Sequence, residues 1–133
     1  MKIRVPVSSG EIIDKITILE IKTARIKDIN KLSFVNKELK ELSPALKKIF
    51  SLNKTDKYKL QSLKKSLFNI NTKLWVIEDK LRKLETRKNF NKEFTSLARS
   101  VYINNDKRAD IKNKINILTG SLIQEVKEYK KYK

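Results

Sequence analysis

The stretch LQSLKKSLFNINTKLWVIEDKLRKL, residues 60–84, sets Leu60, Leu63, Leu67, Ile70, Leu74, Ile77, Leu81 and Leu84 at alternating spacings of three and four. Branched aliphatics at every a and d position make a heptad seam. The seam predicts a helix over 56–88, about 45–50 Å long, which must bury its stripe against other helices. Phe68 and Trp75 lie beside the seam at b positions. They widen the apolar face, so more than one helix packs there.

Downstream, Arg87, Lys88 and Asn89 make a last turn and a loop, and Asn89 or Asn91 caps a helix over about 91–131. Phe94, Leu97 and Val101, then Ile111, Ile115, Leu118, Leu122 and Tyr129, carry its stripe. The same spacing puts seam positions at 104 and 108, yet these are Asn104 and Arg108. A break in this helix is expected near 104–106. Gly120 costs about 1 kcal/mol against Ala in a helix interior and admits close helix contact. The basic tail from Lys127 is expected to fray.

Upstream, Ser8 and Glu11 form a capping box: the Ser8 hydroxyl accepts from the Glu11 N–H and the Glu11 carboxylate reaches back. The helix that follows, over about 9–27, buries Ile12, Ile16, Leu19, Ile26 and Ile29, with Thr23 interrupting the face, either to bond the preceding turn or to admit a close neighbour. After Ile26 the register slips, so a turn is expected near 28–31. Val35, Leu39, Leu42, Leu46, Ile49 and Leu52 define a helix over about 31–52, kinked or restarting at Ser43 and Pro44. In residues 1–7, Ile3, Val5 and Val7 alternate with Lys2, Arg4 and Pro6. This is a short extended arm with one apolar face. It needs cover, either from the helices or from a second copy.

The fold class expected is all-α. A long-helix antiparallel hairpin sits in a bundle with coiled-coil-like packing and a short extended N-terminal arm, all in one domain over 1–133. Two Gly and two Pro in 133 residues leave few places to turn. The wide face of the third helix and the length of the fourth predict a homodimer.

Neither Cys nor His is present. Disulfides, thiolate nucleophiles, Cys/His zinc sites and Ser-His-Asp triads are thereby excluded. No phosphate loop, metal motif or nucleophile elbow occurs, and no cofactor is expected. No segment has the roughly 18 apolar residues a membrane span needs, and Met1–Val7 lacks the apolar core of a signal peptide. A cytoplasmic protein is the expectation. The net charge of +17 attracts nucleic acid or an anionic membrane. However, 26 Lys stand against 6 Arg, Lys and Asn and Ile share AT-rich codons, and nucleic-acid binders favour Arg. Nucleic acid is therefore the less favoured partner.

Arg108 is the most informative polar residue. A buried Arg needs a partner. In an antiparallel hairpin turning near Asn89, Arg108 lies opposite Ile70 and Asn104 opposite Leu74, and neither apolar residue satisfies a guanidinium. Its partner must come from Glu11, Asp14 or Glu20 of the first helix, or from a ligand anion. The competing readings are an internal ion pair that fixes register, an Arg that snorkels at a local break, and a ligand-binding Arg. Glu78 and Asp79 follow Trp75, and Arg99 falls opposite Asp79. Together with Lys15 they suggest a polar pocket beside Trp75.

Val5 through Glu11 leading into Asp14, Lys15, Ile16, Thr17, Ile18 and Leu19, then Leu74-Trp75 with Glu78-Asp79, Phe94 through Arg99, and Asn105 through Ala109, resemble a family of small bacterial helical proteins of unknown function. The resemblance covers nearly the whole chain and brings no activity with it. It marks Glu11, Asp14, Lys15, Trp75, Glu78, Asn105, Asp106 and Arg108 as candidate ligand-binding positions. Residues 12–25 are also similar to the opening helix of all-helical chorismate mutases, which implies a dicarboxylate bound by scattered Arg and Lys inside an intertwined dimer. The extended arm departs from that pattern.

Three functions follow: a non-enzymatic self-assembly or protein-interaction module, which leads; a binder of nucleic acid or another polyanion; and a small-anion enzyme using Arg108 and Lys15.

Overall fold

The computed structural model describes residues 1–132. It is an all-α bundle of four helices: α1 (Ser9–Arg25), α2 (Ile29–Phe50), α3 (Lys57–Thr86) and α4 (Lys92–Thr119). Each start is fixed by a side chain that accepts from an otherwise unpaired backbone N–H. Ser8 accepts from Glu11 N, Asp28 from Asn30 N and Lys31 N, Asp56 from Lys59 N, and Asn91 from Phe94 N. The capping box of α1 is half made, because the Glu11 carboxylate goes to Lys112 instead of back to Ser8.

Both ends of the α3–α4 hairpin close by the same device. Asn89 N–H reaches Leu84 O at 3.0 Å and Lys88 N–H reaches Glu85 O at 3.0 Å, with Lys88 left-handed at φ +53°. At the far end of α4, Ser121 N–H reaches Asn116 O at 2.8 Å and Gly120 N–H reaches Ile117 O at 3.3 Å, with Gly120 at φ +66°. These are Schellman motifs. They correct the expectation that the last helix runs to 131: Gly120 stops α4 and is not a helix-interior residue.

The expected break at 104–106 is also absent. Asn104 Nδ2 donates to the Ser100 carbonyl at 2.7 Å, which keeps this polar residue within the helix. Likewise α2 runs unbroken through Pro44, although Pro44 has no N–H for the carbonyl of Lys40.

Beyond Gly120 the chain leaves the helix and returns along α4. Lys112 meets Glu125 at 2.9 Å, Asp106 meets Lys127 at 3.9 Å, and Tyr102 meets Tyr132 edge to face at 5.3 Å. The partners step backward along α4 as the tail advances. The N-terminal arm forms no strand and is held by Lys2 to Glu41 at 2.8 Å.

The core gathers Ile13, Ile49, Leu60, Leu67 and Ile115, with Phe50 and Leu118 packed against it. α1 touches all three other helices. Burial on several sides explains why Ile13, Asp14, Thr17 and Ile21 are buried besides the expected Ile16 and Leu19. Ile29, expected on that face, is exposed and opens α2.

Candidate functional site

α1 and α4 run antiparallel, since contacts descend α4 as they climb α1. Gly10 N–H donates to Asn116 Oδ1 at 2.7 Å, Glu11 meets Lys112 at 2.8 Å, and Asp14 meets Arg108. Arg108 Nε donates to Asp14 Oδ1 at 2.8 Å while Nη2 donates to Oδ2, a bidentate fork. The partner of Arg108 is therefore a residue of α1, one of the three carboxylates expected from the sequence. Asp14 is 1% exposed.

A second helix completes the carboxylate. Asn71 Nδ2 donates to Asp14 Oδ1 and to Thr17 Oγ1, each at 2.9 Å, and Thr17 Oγ1 donates to the Asp14 carbonyl at 2.7 Å. Asn71 and Arg108 lie at nearly equal distances along the chain from the α3–α4 turn, so both arms of the hairpin close on one acid of α1. The hydrogen bond to Asp14 holds the Arg108 guanidinium above its ordinary pKa, against the opposing effect of burial.

Lys112, one turn further along α4, is also buried and takes Glu11 from α1 and Glu125 from the tail. Burial alone pushes its ammonium down, but the two carboxylates outweigh that and leave it raised. The Lys112 hydrogen bond holds Glu125 below the usual carboxylate range, against the effect of burial.

Arg108 opens onto a cleft of about 390 Å³. Ile18, Leu74 and Trp75 form its apolar part, and Glu78, Asp79 and Arg82 stand at its polar side. Each charged group has a counter-charge beside it. Glu78 faces Arg82 at 3.8 Å, Asp79 faces Lys83 at 3.3 Å, and Arg108 is held by Asp14. The expected Arg99 partner for Asp79 is replaced by Lys83, one turn along the same helix. No group of three acidic, Cys or His side chains able to hold a metal occurs among the described residues.

Of the eight positions marked by the sequence, Asp14, Asn105 and Arg108 form one network, with Arg108 Nη1 at 3.5 Å from Asn105 Oδ1. Trp75 and Glu78 share the cleft with Arg108. The other three go elsewhere. Glu11 serves Lys112, Asp106 faces the tail, and Lys15 turns to Glu38 of α2 at 3.0 Å. A pocket combining Lys15 with Trp75 is thus not formed. Asn71, Lys112 and Asn116 were not foreseen.

No helix among the described residues is long and apolar enough to cross a membrane. No curated protein and no solved structure matches the chain, so nothing supports the chorismate mutase likeness. A model described as "Family of unknown function (DUF6165)" matches residues 1–132. With its matched span covering both arms of the Asp14–Arg108 fork, the Trp75 cleft and the returning tail, the chain belongs to that family of unknown function.

Proposed function

We propose that this protein is a non-enzymatic helical module that works by self-assembly. One observation carries the reading. Ile3, Val5 and Val7 form the apolar side of the arm, and they are 78%, 65% and 43% exposed. Among the described residues, little covers Ile3 and Val5, and Val7 is partly covered. Three neighbouring apolar side chains left in water favour a partner surface.

The cleft supplies a complementary surface on a second copy. Its apolar part suits Ile3 and Val5, while Glu78, Asp79 and Lys2 are already paired within the chain, so the contact rests on apolar burial. An anion-binding enzyme is the weaker reading. Arg108 spends its fork on Asp14, and Lys15 lies away from the cleft.

Size-exclusion chromatography with light scattering tests this, comparing the native chain with Ile3→Ser/Val5→Ser. The native chain runs as a dimer and the variant as a monomer. Trp75 emission shifts to longer wavelength on dilution of the native chain only. Added salt strengthens the dimer, because it screens repulsion between two chains of +17 each. A native monomer at high concentration, or a dimer indifferent to the arm substitutions, refutes the reading.

A further inference from the structure

Between Glu41 and Glu78 the chain carries eight lysines, no arginine and a single carboxylate, Asp56. Asp56 is committed to the N-cap of α3, accepting from Lys59 N at 3.0 Å. Lys64 pairs with Glu20. Among the others, Lys47, Lys48, Lys54, Lys57 and Lys59 cluster in and beside the α2–α3 connection, all exposed.

Apolar residues are exposed at the same place. Phe50, Leu60 and Leu118 pack on one core cluster, so the end of α2, the start of α3 and the end of α4 meet at one end of the bundle. A few residues from these, at that end, Tyr58 is 92% exposed, Ile117 71% and Leu122 100%. Leu52, in the connection itself, is exposed too. Clustered lysines with exposed aliphatic and tyrosine side chains at the same end of the bundle match the two layers of a membrane surface. The ammonium groups suit anionic headgroups, and the apolar tips suit the boundary below.

We propose that this end of the bundle docks on an anionic lipid bilayer. Lys47, Lys48, Lys54, Lys57 and Lys59 engage headgroups, while Leu52, Tyr58 and Leu122 enter the interface. A nucleic acid fits less well. The segment offers no arginine fork for phosphates or bases, one aromatic is a poor stacking platform, and exposed Leu52, Ile117 and Leu122 have no role against a sugar-phosphate chain.

Co-sedimentation with vesicles tests the inference, using phosphatidylcholine alone and phosphatidylcholine with roughly 30 mol% phosphatidylserine. The native chain binds only the anionic vesicles. Binding falls on the order of tenfold between about 0.1 M and about 0.5 M salt. Lys54→Glu/Lys57→Glu weakens it by about thirtyfold or more, and Tyr58→Ser/Leu122→Ser removes the part that survives high salt. All four positions are exposed, and circular dichroism checks that the helices persist. Equal binding to neutral vesicles, no binding to anionic ones, or binding unchanged in both variants overturns the inference. So does tighter binding to a single-stranded oligonucleotide that Tyr58→Ser/Leu122→Ser leaves untouched.

Discussion

Gly10 packs directly on the main chain of Lys112: a Cβ at Gly10 stands 2.4 Å from the Lys112 carbonyl oxygen and 2.8 Å from Asn116 Oδ1. The first obstacle is backbone and cannot swing aside. Gly10→Ala therefore pushes α1 off α4 and strains the Gly10 N–H to Asn116 bond. The expected loss is about 1–3 kcal/mol, read as a lower urea midpoint with unchanged slope.

Arg108→Ala leaves the carboxylate of Asp14 buried with only Asn71 to face it. Removing one member of such a pair costs about 3–5 kcal/mol. Asp14→Leu combined with Arg108→Met removes both charges, and equilibrium unfolding of the double variant should recover most of that loss. A stable Arg108→Ala protein refutes the internal-pair account.

Docking of the tail depends on pH at both extremes. Glu125 sits below its ordinary value of 4.5 in the folded protein, so its contribution is present above 4.5 and is lost as pH falls through the lowered value. Lys112 sits above its ordinary 10.5, so its contribution is complete below 10.5 and is lost as pH rises through the raised value. The tail stays docked across neutral pH and leaves α4 in acid. Amide NMR shifts of residues 121–132 should move together with the Glu125 titration, ahead of global unfolding.

Lys88 holds a left-handed conformation that glycine adopts without penalty. Lys88→Gly at the tip of the α3–α4 hairpin should stabilise by up to about 1 kcal/mol. Gly120→Ala, in the same role on α4, should destabilise by a similar amount. Thermal melts of the two variants should shift in opposite directions.

The α3 seam was legible because its period is unbroken, and Leu60, Leu67, Leu74, Ile77 and Leu84 are indeed buried. The need of Arg108 for an α1 carboxylate was legible from the cost of a buried charge. Asn71 was not. A two-helix heptad assigns position 70 to the seam and hides 71, which is buried because α1 approaches α3 from a second direction. Ile13 was overlooked for the same reason, since a helix surrounded on several sides buries more than one stripe. Gly120 was misread because the apolar pattern continues through Leu122 and Tyr129, and only the left-handed turn shows that the helix has stopped. The lysine excess from 42 to 77 was passed over because lysines occur along the whole chain, and its meaning depends on Leu122 and Ile117, which only folding brings to that end.

The fork between Asp14 and Arg108 joins residues 94 positions apart. On a ribosome adding about 5–20 residues/s, the carboxylate emerges roughly 5–20 s before its guanidinium. α1 is thus made first and completed last. Until α4 leaves the exit tunnel, Ile13 and Ile16 have no full cover and Asp14 has no counter-ion. The step that closes the bundle waits on the synthesis of α4, and a synonymous-codon pause between α3 and α4 would lengthen the interval in which α1 lacks its full cover.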